Sequence, residues 1–197
     1  MKRFLLCTIV SVLLAAVGCG LTGGRQTRMD ETTRAQVETL LSDAETHMNY
    51  AAQGQGFMRR FSPELGKNAK ILEESARLNI QFALDKSYEA YNLEPRWAPT
   101  NHAIAACELA LGNSDRAIEF ARRTLYLSDD RPEAWVIIGA AYLEKAQKEQ
   151  DPREKKREYE KAINAYENFI KERPEHMSVP FLQTTIEIIK EKIKKER

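Results

Sequence analysis

The side chains that could do chemistry in this sequence are three histidines, three cysteines and many carboxylates. His47, His102 and His176 are far apart, and the sequence has neither an HExxH motif nor closely spaced cysteines, so it lacks metal-ligand spacing. Glycine-rich phosphate loops and the GxSxG nucleophile motif are also missing from the sequence. We therefore predict that the protein is not an enzyme and uses no cofactor, metal or catalytic residue. The alternative is an active site that folding assembles from distant residues.

One cysteine lies where a signal sequence would end. Lys2 and Arg3 precede residues 4–17, which are mostly apolar and too few to span a bilayer comfortably, as in the h-region of a secretory signal. The following box, Ala16-Val17-Gly18-Cys19, resembles the end of a bacterial lipoprotein signal, which is cut just before its cysteine. The alternative is an ordinary cleaved signal with an incidental cysteine.

The lipoprotein resemblance implies a lipid anchor on Cys19. Residues 1–18 would be removed, Cys19 would carry a diacylglyceryl thioether and often an amide-linked chain, and residues 19–31 would be a flexible tether. In Gram-negative lipoproteins an Asp after the lipidated Cys commonly marks retention at the inner membrane, whereas this sequence has Gly20. The resemblance therefore implies a cell-envelope protein, at the periplasmic face of the outer membrane if the organism has one.

The composition limits both the partner class and the fold class. The 30 basic and 29 acidic side chains leave a net charge of +1, which argues against a general nucleic-acid binder. Glycine (9) and proline (7) are scarce while Ala, Leu, Glu and Lys are plentiful, so we predict an all-α fold. Cys107 lies within an apolar helical pattern, and we expect it to be a small buried core residue.

Residues 98–131 and 132–176 are two copies of one pattern. The second copy has large and small residues at fixed positions: Trp135, Ile138, Gly139, Tyr142, Ala162, Tyr166 and Pro174. This pattern resembles the tetratricopeptide repeat (TPR) family. The first copy departs from it, with Asn101 in place of the Trp, Glu108 in place of the Tyr and Asp129 in place of the Pro. The resemblance implies antiparallel helix pairs that stack into a solenoid, because no single pair buries its apolar face alone.

The second copy is longer than the first. Residues 147–157 are a highly charged insertion at the tip of the helix pair, and Asp151-Pro152-Arg153-Glu154 has the residues of a helix start, with Asp151 as the N-cap. We expect the first helix to run to about Gln150 and the second to begin near Pro152. The dense mixed charge indicates a solvated arm, and a binding role for the arm is the alternative.

The flanking segments complete an array of about three repeats, two of them with insertions. Residues 32–97 resemble a degenerate repeat whose first helix begins at the capping box Thr33–Gln36. We expect Gly54 and Gly56 to break that helix, residues 54–61 to form a loop that folds back or makes contacts, and Ser62 to start a helix running to about Asn92. Residues 177–197 carry apolar residues on one face and predict a capping helix, with a membrane-surface role as the alternative.

In related TPR proteins the first helix of each repeat lines a concave groove, and the corresponding positions of this sequence are expected to do the same. Its residues are His102, Ala106, Leu109, Val136, Ala140, Leu143 and Glu144. Small and apolar side chains predict a groove for a helix or an extended segment of a protein partner. The function that follows is a lipid-anchored adaptor or scaffold, for assembly of an envelope complex such as a secretin, pilus or outer-membrane machine, with a homodimer left open. The alternative is an envelope enzyme or wall-remodelling factor.

Overall fold

The computed structural model describes residues 29–65 and 68–195, with the backbone alone at 54–65, 68 and 69. Over these residues the chain is all-helical, as its composition predicts. The helices are α1 (Glu31–Leu65), α2 (Asn68–Leu93), α3 (Ala98–Ala110), α4 (Ser114–Leu127), α5 (Glu133–Lys148), α6 (Pro152–Glu172) and α7 (Val179–Lys195).

The helices form three hairpins that lie side by side. α1 packs on α2, α3 on α4 and α5 on α6, and each hairpin also contacts the next through α2 with α3 and α4 with α5. Among the first helices of the hairpins, α3 contacts both α1 and α5, and α7 packs on α6. One main core joins the hairpins, and a smaller cluster of Val37, Ala90 and Trp97 lies near the start of α1.

The first helix begins three residues earlier than the capping-box prediction. Asp30 accepts a hydrogen bond from the Thr33 backbone N–H at 2.9 Å and another from the Thr33 hydroxyl at 2.6 Å. Asp30 is therefore the N-cap and Thr33 lies in the first turn, so the prediction of Thr33 as the cap is wrong. The Asp carboxylate bonds to an exposed helix N–H and also places negative charge at the positive end of the helix.

The prediction that Gly54 and Gly56 break the first helix is also wrong. α1 continues through both glycines and ends at Leu65, so residues 54–61 are helical backbone and Ser62 lies near the end of α1. Each helical Gly costs only about 1 kcal/mol relative to Ala, which packing between two long helices outweighs. The side chains of the expected contact loop lie outside the described residues.

The inner face of the first hairpin is built from small and medium side chains. Ala44, Met48 and Ala51 of α1 are buried, as are Ile80 and Ala83 of α2. Between the two helices, His47 Nδ1 lies 3.0 Å from Asn79 Oδ1. This hairpin is much longer than the second one, so one end of it extends past the rest of the fold.

The charged insertion lengthens the third hairpin, as its residues predict. α5 ends at Lys148, two residues before the expected end, and α6 begins at Pro152. Asp151 accepts hydrogen bonds from the backbone N–H groups of Arg153 at 2.7 Å and Glu154 at 3.3 Å, which confirms it as the N-cap. By contrast, the second hairpin turns at Gly112, whose φ of +83° favours glycine.

Gly139 lies at a close contact between α5 and α6. A Cβ placed on Gly139 would lie 2.4 Å from Cε1 of Tyr166, whose ring is fully buried. Ala162 of α6 and Ala117 of α4, which align in the two repeat copies, are fully buried too. Small residues at these positions let the paired helices come together, and a large ring fills the space beside them.

The last helix covers the end of the helical array. Leu182, Ile186 and Ile189 of α7 are buried, and Ile193 packs partly against the same core. The opposite face bears charged residues such as Lys190, which lies 3.5 Å from Glu167 of α6. This arrangement matches the apolar stripe seen in the sequence and leaves a polar outer surface at this end.

Candidate functional site

The seven residues expected to line a groove are mostly closed to solvent. The buried ones are His102, Leu109, Val136, Ala140, Leu143 and Glu144, while Ala106 is half-buried. Four of them lie on α5, which is buried nearly all round, with eleven of its 16 residues in the interior. In this conformation the seven residues do not form an open surface, and their binding of a partner stays a prediction.

Glu144 joins two hairpins. Its Oε2 accepts a hydrogen bond from the Ser114 hydroxyl at the start of α4, at 2.8 Å, and its Oε1 lies 2.7 Å from Lys148 Nζ. Lys148 also donates to the Gly112 carbonyl at 3.2 Å. These contacts join the end of α5 to the turn between α3 and α4. The Glu144 carboxylate therefore stabilises the packing of the third hairpin on the second.

His102 is a buried neutral imidazole. Burial is the main cause that lowers the pKa of His102 to about 3, and the nearby charge of Arg131 lowers it further. Within the described part of the chain, His102 Nδ1 has no hydrogen-bond partner. Because the imidazole is uncharged at neutral pH, its burial costs far less than that of a charged ring.

Asn101 and Glu108, two of the three departures of the first repeat copy from the TPR pattern, make specific polar contacts. Asn101, which stands for the Trp, donates from Nδ2 to the carbonyls of Pro95 and Trp97, both at 2.9 Å. Glu108, which stands for the Tyr, is fully buried and accepts from the Tyr88 hydroxyl at 3.1 Å and from Asn113 Nδ2 at 2.7 Å. The Tyr88–Glu108 hydrogen bond joins the first and second hairpins, and the bonds of Asn101 hold the start of α3 to the preceding turn.

Arginines of α4 pack on aromatic rings of α2 at the outer surface. Arg116 lies over the Tyr88 ring and 3.2 Å from the Glu108 carboxylate, while Arg123 donates to the Tyr91 hydroxyl at 2.7 Å. Burial, followed by the charge of Glu108, raises the pKa of Tyr88 to about 12. The phenol therefore stays protonated and donates to Glu108, and this network is structural.

An open cleft of about 560 Å³ lies between α4, the end of α5 and α6. Its lining comprises Asp115, Ile118, Glu119, Arg122, Arg123, Tyr126, Tyr142, Lys145 and Lys161. Arg122 donates to the Tyr142 hydroxyl at 2.9 Å, and Lys161 Nζ lies 5.2 Å from the centre of the Tyr142 ring. Tyr126, at the edge of the cleft, is 85% exposed.

Sequence reasoning did not find this cleft. The signal available was the spacing of Arg122 and Tyr126, four residues apart and hence on one face of a helix. Lys145 forms an ion pair with Asp115 across the cleft, and these residues come from different hairpins. Their meeting depends on how α4 packs beside α5, which the spacing within one helix does not specify.

The sequence singled out two cysteines, and the structure describes one of them. Cys19 lies outside the described residues. Cys107 is buried, as expected, and burial is the first cause that raises the pKa of its thiol to about 12. The thiol is therefore protonated and shielded, and we assign it a packing role.

The metal-ligating side chains of residues 29–65 and 68–195 nowhere gather in a group of three or more that could hold an ion. None of the helices described over the same residues has the length and apolar character needed to cross a membrane. Comparison with known proteins adds no relative, since neither a protein-family model nor a curated protein sequence matches this chain.

Proposed function

We propose that this protein is a lipid-anchored adaptor of the cell envelope, built of TPR-like helical hairpins, that binds another protein. The observation that carries the proposal is the repeated packing of the second and third hairpins. Small residues at aligned positions, Ala117 and Ala162, are fully buried in both hairpins, and Gly139 lies against Tyr166. These positions are the ones at which the sequence resembles the TPR family, whose solenoids present extended binding surfaces.

The anchor in this proposal is Cys19. Its support is the small-residue box before the cysteine and the apolar stretch before that box. Two or three acyl chains hold a protein stably on a membrane, whereas one chain binds marginally. A partner that assembles in the envelope would then meet the adaptor at the membrane surface.

The cleft between α4 and α6 is the surface we assign to the partner. It is open, whereas the residues of the expected groove are buried. Exposed Tyr and Arg side chains are enriched in protein interfaces. The cleft carries four cationic side chains and two carboxylates, namely Arg122, Arg123, Lys145 and Lys161 with Asp115 and Glu119. This excess of positive charge fits an acidic segment of the partner.

The test is purification of the native lipoprotein from its own membranes after mild crosslinking, in three forms. Wild-type protein should bring down one stoichiometric partner, and the double variant Arg122→Glu with Tyr126→Ala should lose it. Met177→Ala is the matched control, because Met177 is 86% exposed and lies outside the cleft lining. Circular dichroism establishes that all three forms are equally helical.

Two outcomes would overturn the proposal. Retention of the stoichiometric partner by the double variant Arg122→Glu with Tyr126→Ala would show that the cleft is not the binding surface. Turnover of wall fragments by the purified protein, with no stoichiometric partner, would favour the envelope enzyme instead of the adaptor.

A further inference from the structure

The outer face of α2 carries a row of exposed apolar side chains. Ile71, Leu78 and Phe82 are 67%, 51% and 55% exposed. Their spacings of seven and four residues place all three within about 40° of one another around the helix and along about 16 Å of its length. We call these three residues the outer stripe.

The core of the first hairpin lies on the face of α2 opposite the outer stripe. Ile80, which points about 180° away from Ile71 at 3.6 residues per turn, is buried in the hairpin core together with Ala76 and Ala83. α2 therefore has apolar residues on two opposed faces. A helix at the side of a domain usually buries one face and exposes charge on the other, so the second face requires another explanation.

Aromatic residues of α1 lie beside the outer stripe and enlarge the apolar surface. The His47 ring lies 5.5 Å from the Phe82 ring and 6.5 Å from the ring of Tyr50, which is 57% exposed. The apolar surface thus spans both helices of the first hairpin. Contiguous exposed patches of this kind mark interaction sites.

We propose that the outer stripe is the interface of a homodimer, in which two copies of α2 pack antiparallel about a twofold axis between Ser75 and Leu78. In this arrangement Ile71 of each copy meets Phe82 of the other. Leu78 of each copy lies over Ser75 of the other, so a large side chain meets a small one. An isologous interface requires this kind of self-complementarity.

The charges beside the outer stripe favour a second copy as its occupant. Lys70 and Asp85 are exposed, lie on the same side of the stripe and flank its opposite ends. In the antiparallel pair each Lys70 comes within about 3 Å, measured along the helix axis, of Asp85 in the other copy. Acidic Glu74 on the same side offsets basic Arg77, whereas a surface built for anionic lipid has a basic rim.

A charge exchange tests the arrangement. The full-length protein in mild detergent is examined by sedimentation equilibrium as wild type, Lys70→Glu, Asp85→Lys and an equal mixture of the two variants. Each variant alone creates two like-charge pairs, so we expect its dimer to be about tenfold weaker. The mixture restores both pairs and should dimerise as tightly as wild type. Lys70 and Asp85 are about 22 Å apart along one helix, so this rescue arises only between copies.

Two further variants separate the interface from folding. Leu78→Glu should give a monomer with unchanged helicity by circular dichroism, because Leu78 is half exposed in the single chain. Lys190→Glu, on α7, is the matched control and should leave the dimer intact.

The proposal is overturned by a wild-type protein that is monomeric at every concentration tested. A mixture of the charge variants that dimerises no better than either alone also overturns it. A Leu78→Glu protein that stays dimeric, or that loses binding to vesicles instead of dimerisation, shows that the outer stripe has another occupant.

Discussion

Substituting Gly139 by Ala tests the close contact between α5 and α6. The added Cβ would lie 2.4 Å from Cε1, 2.6 Å from Cδ1 and 2.9 Å from Cζ of Tyr166. Ordinary carbon contacts are at about 3.5 Å or more, so the ring or the helix must move by about 1 Å. Tyr166 is fully buried, so its ring is surrounded by other residues.

The expected loss is the difference between two terms. Overpacking a dense core typically costs about 1–3 kcal/mol, and the direct overlap with a buried ring favours the upper end, about 3 kcal/mol. Replacing a helical Gly by Ala also stabilises the helix by about 1 kcal/mol, because Ala has the higher helix propensity. We therefore expect Gly139→Ala to lower the free energy of unfolding by about 2 kcal/mol, or about 4–8 °C in Tm for a domain of this size. Gly139→Leu should cost more, because its side chain is larger.

Thermal and urea melts followed by circular dichroism measure the effect, and Tyr166→Leu supplies the control. If the overlap is the cause, Gly139→Ala should cost much less in the Tyr166→Leu background than in wild type, giving a non-additive double-mutant cycle. A Gly139→Ala protein that is as stable as wild type, or more stable, would refute the close approach of α5 and α6.

Three other predictions concern the arm, His102 and the anchor. Replacing residues 149–157 by Gly-Asn keeps Lys148 and its bonds to Glu144 and Gly112. This change should alter the free energy of unfolding by about 1 kcal/mol or less in urea melts, because the exposed ion pairs that are lost contribute only tenths each. A loss larger than that of Gly139→Leu would mean that the arm is part of the core. The folded pKa of His102, about 3, lies below its unfolded value of about 6.5, so stability present at neutral pH is lost as the pH falls through this window. Between pH 7 and pH 5 the wild type should lose about 2 kcal/mol more than His102→Leu, and equal losses would contradict the buried neutral ring. Cys19→Ala should remove the acyl mass and release the protein from membranes, and a variant that stays bound after high-salt washing would contradict lipidation.

Local sequence signals predicted the caps and turns that depend on a few neighbouring residues. Asp151 followed by Pro152 begins α6 as expected, since the carboxylate satisfies helix N–H groups within its own turn. The error at Thr33 has the same origin: two residues close together could both cap α1, and Asp30 is the one that does. Competition between neighbouring cap residues therefore shifts the helix boundary by only a few residues.

Long-range packing decided what local signals could not. Gly54 and Gly56 favour a break, yet α1 passes through them, because contacts with α2 stabilise the helix from outside it. The expected groove residues His102 and Leu143 were assigned by position within a repeat, but their burial depends on every element around α3 and α5. The cleft beside Tyr142 likewise exists only because α4, α5 and α6 bring their outer faces together.

By itself the sequence determined the helical class and the start of α6 at the tip of the third hairpin, because composition and capping residues act locally, within one or two turns. Only the tertiary structure decided which faces are open and which are closed. The same apolar residue is a core side chain at Ile80 and an exposed one at Ile71, nine positions away on the same helix. Periodicity records that both faces of α2 are apolar, but burial is a property of the neighbouring helices, whose placement depends on contacts distant in the chain.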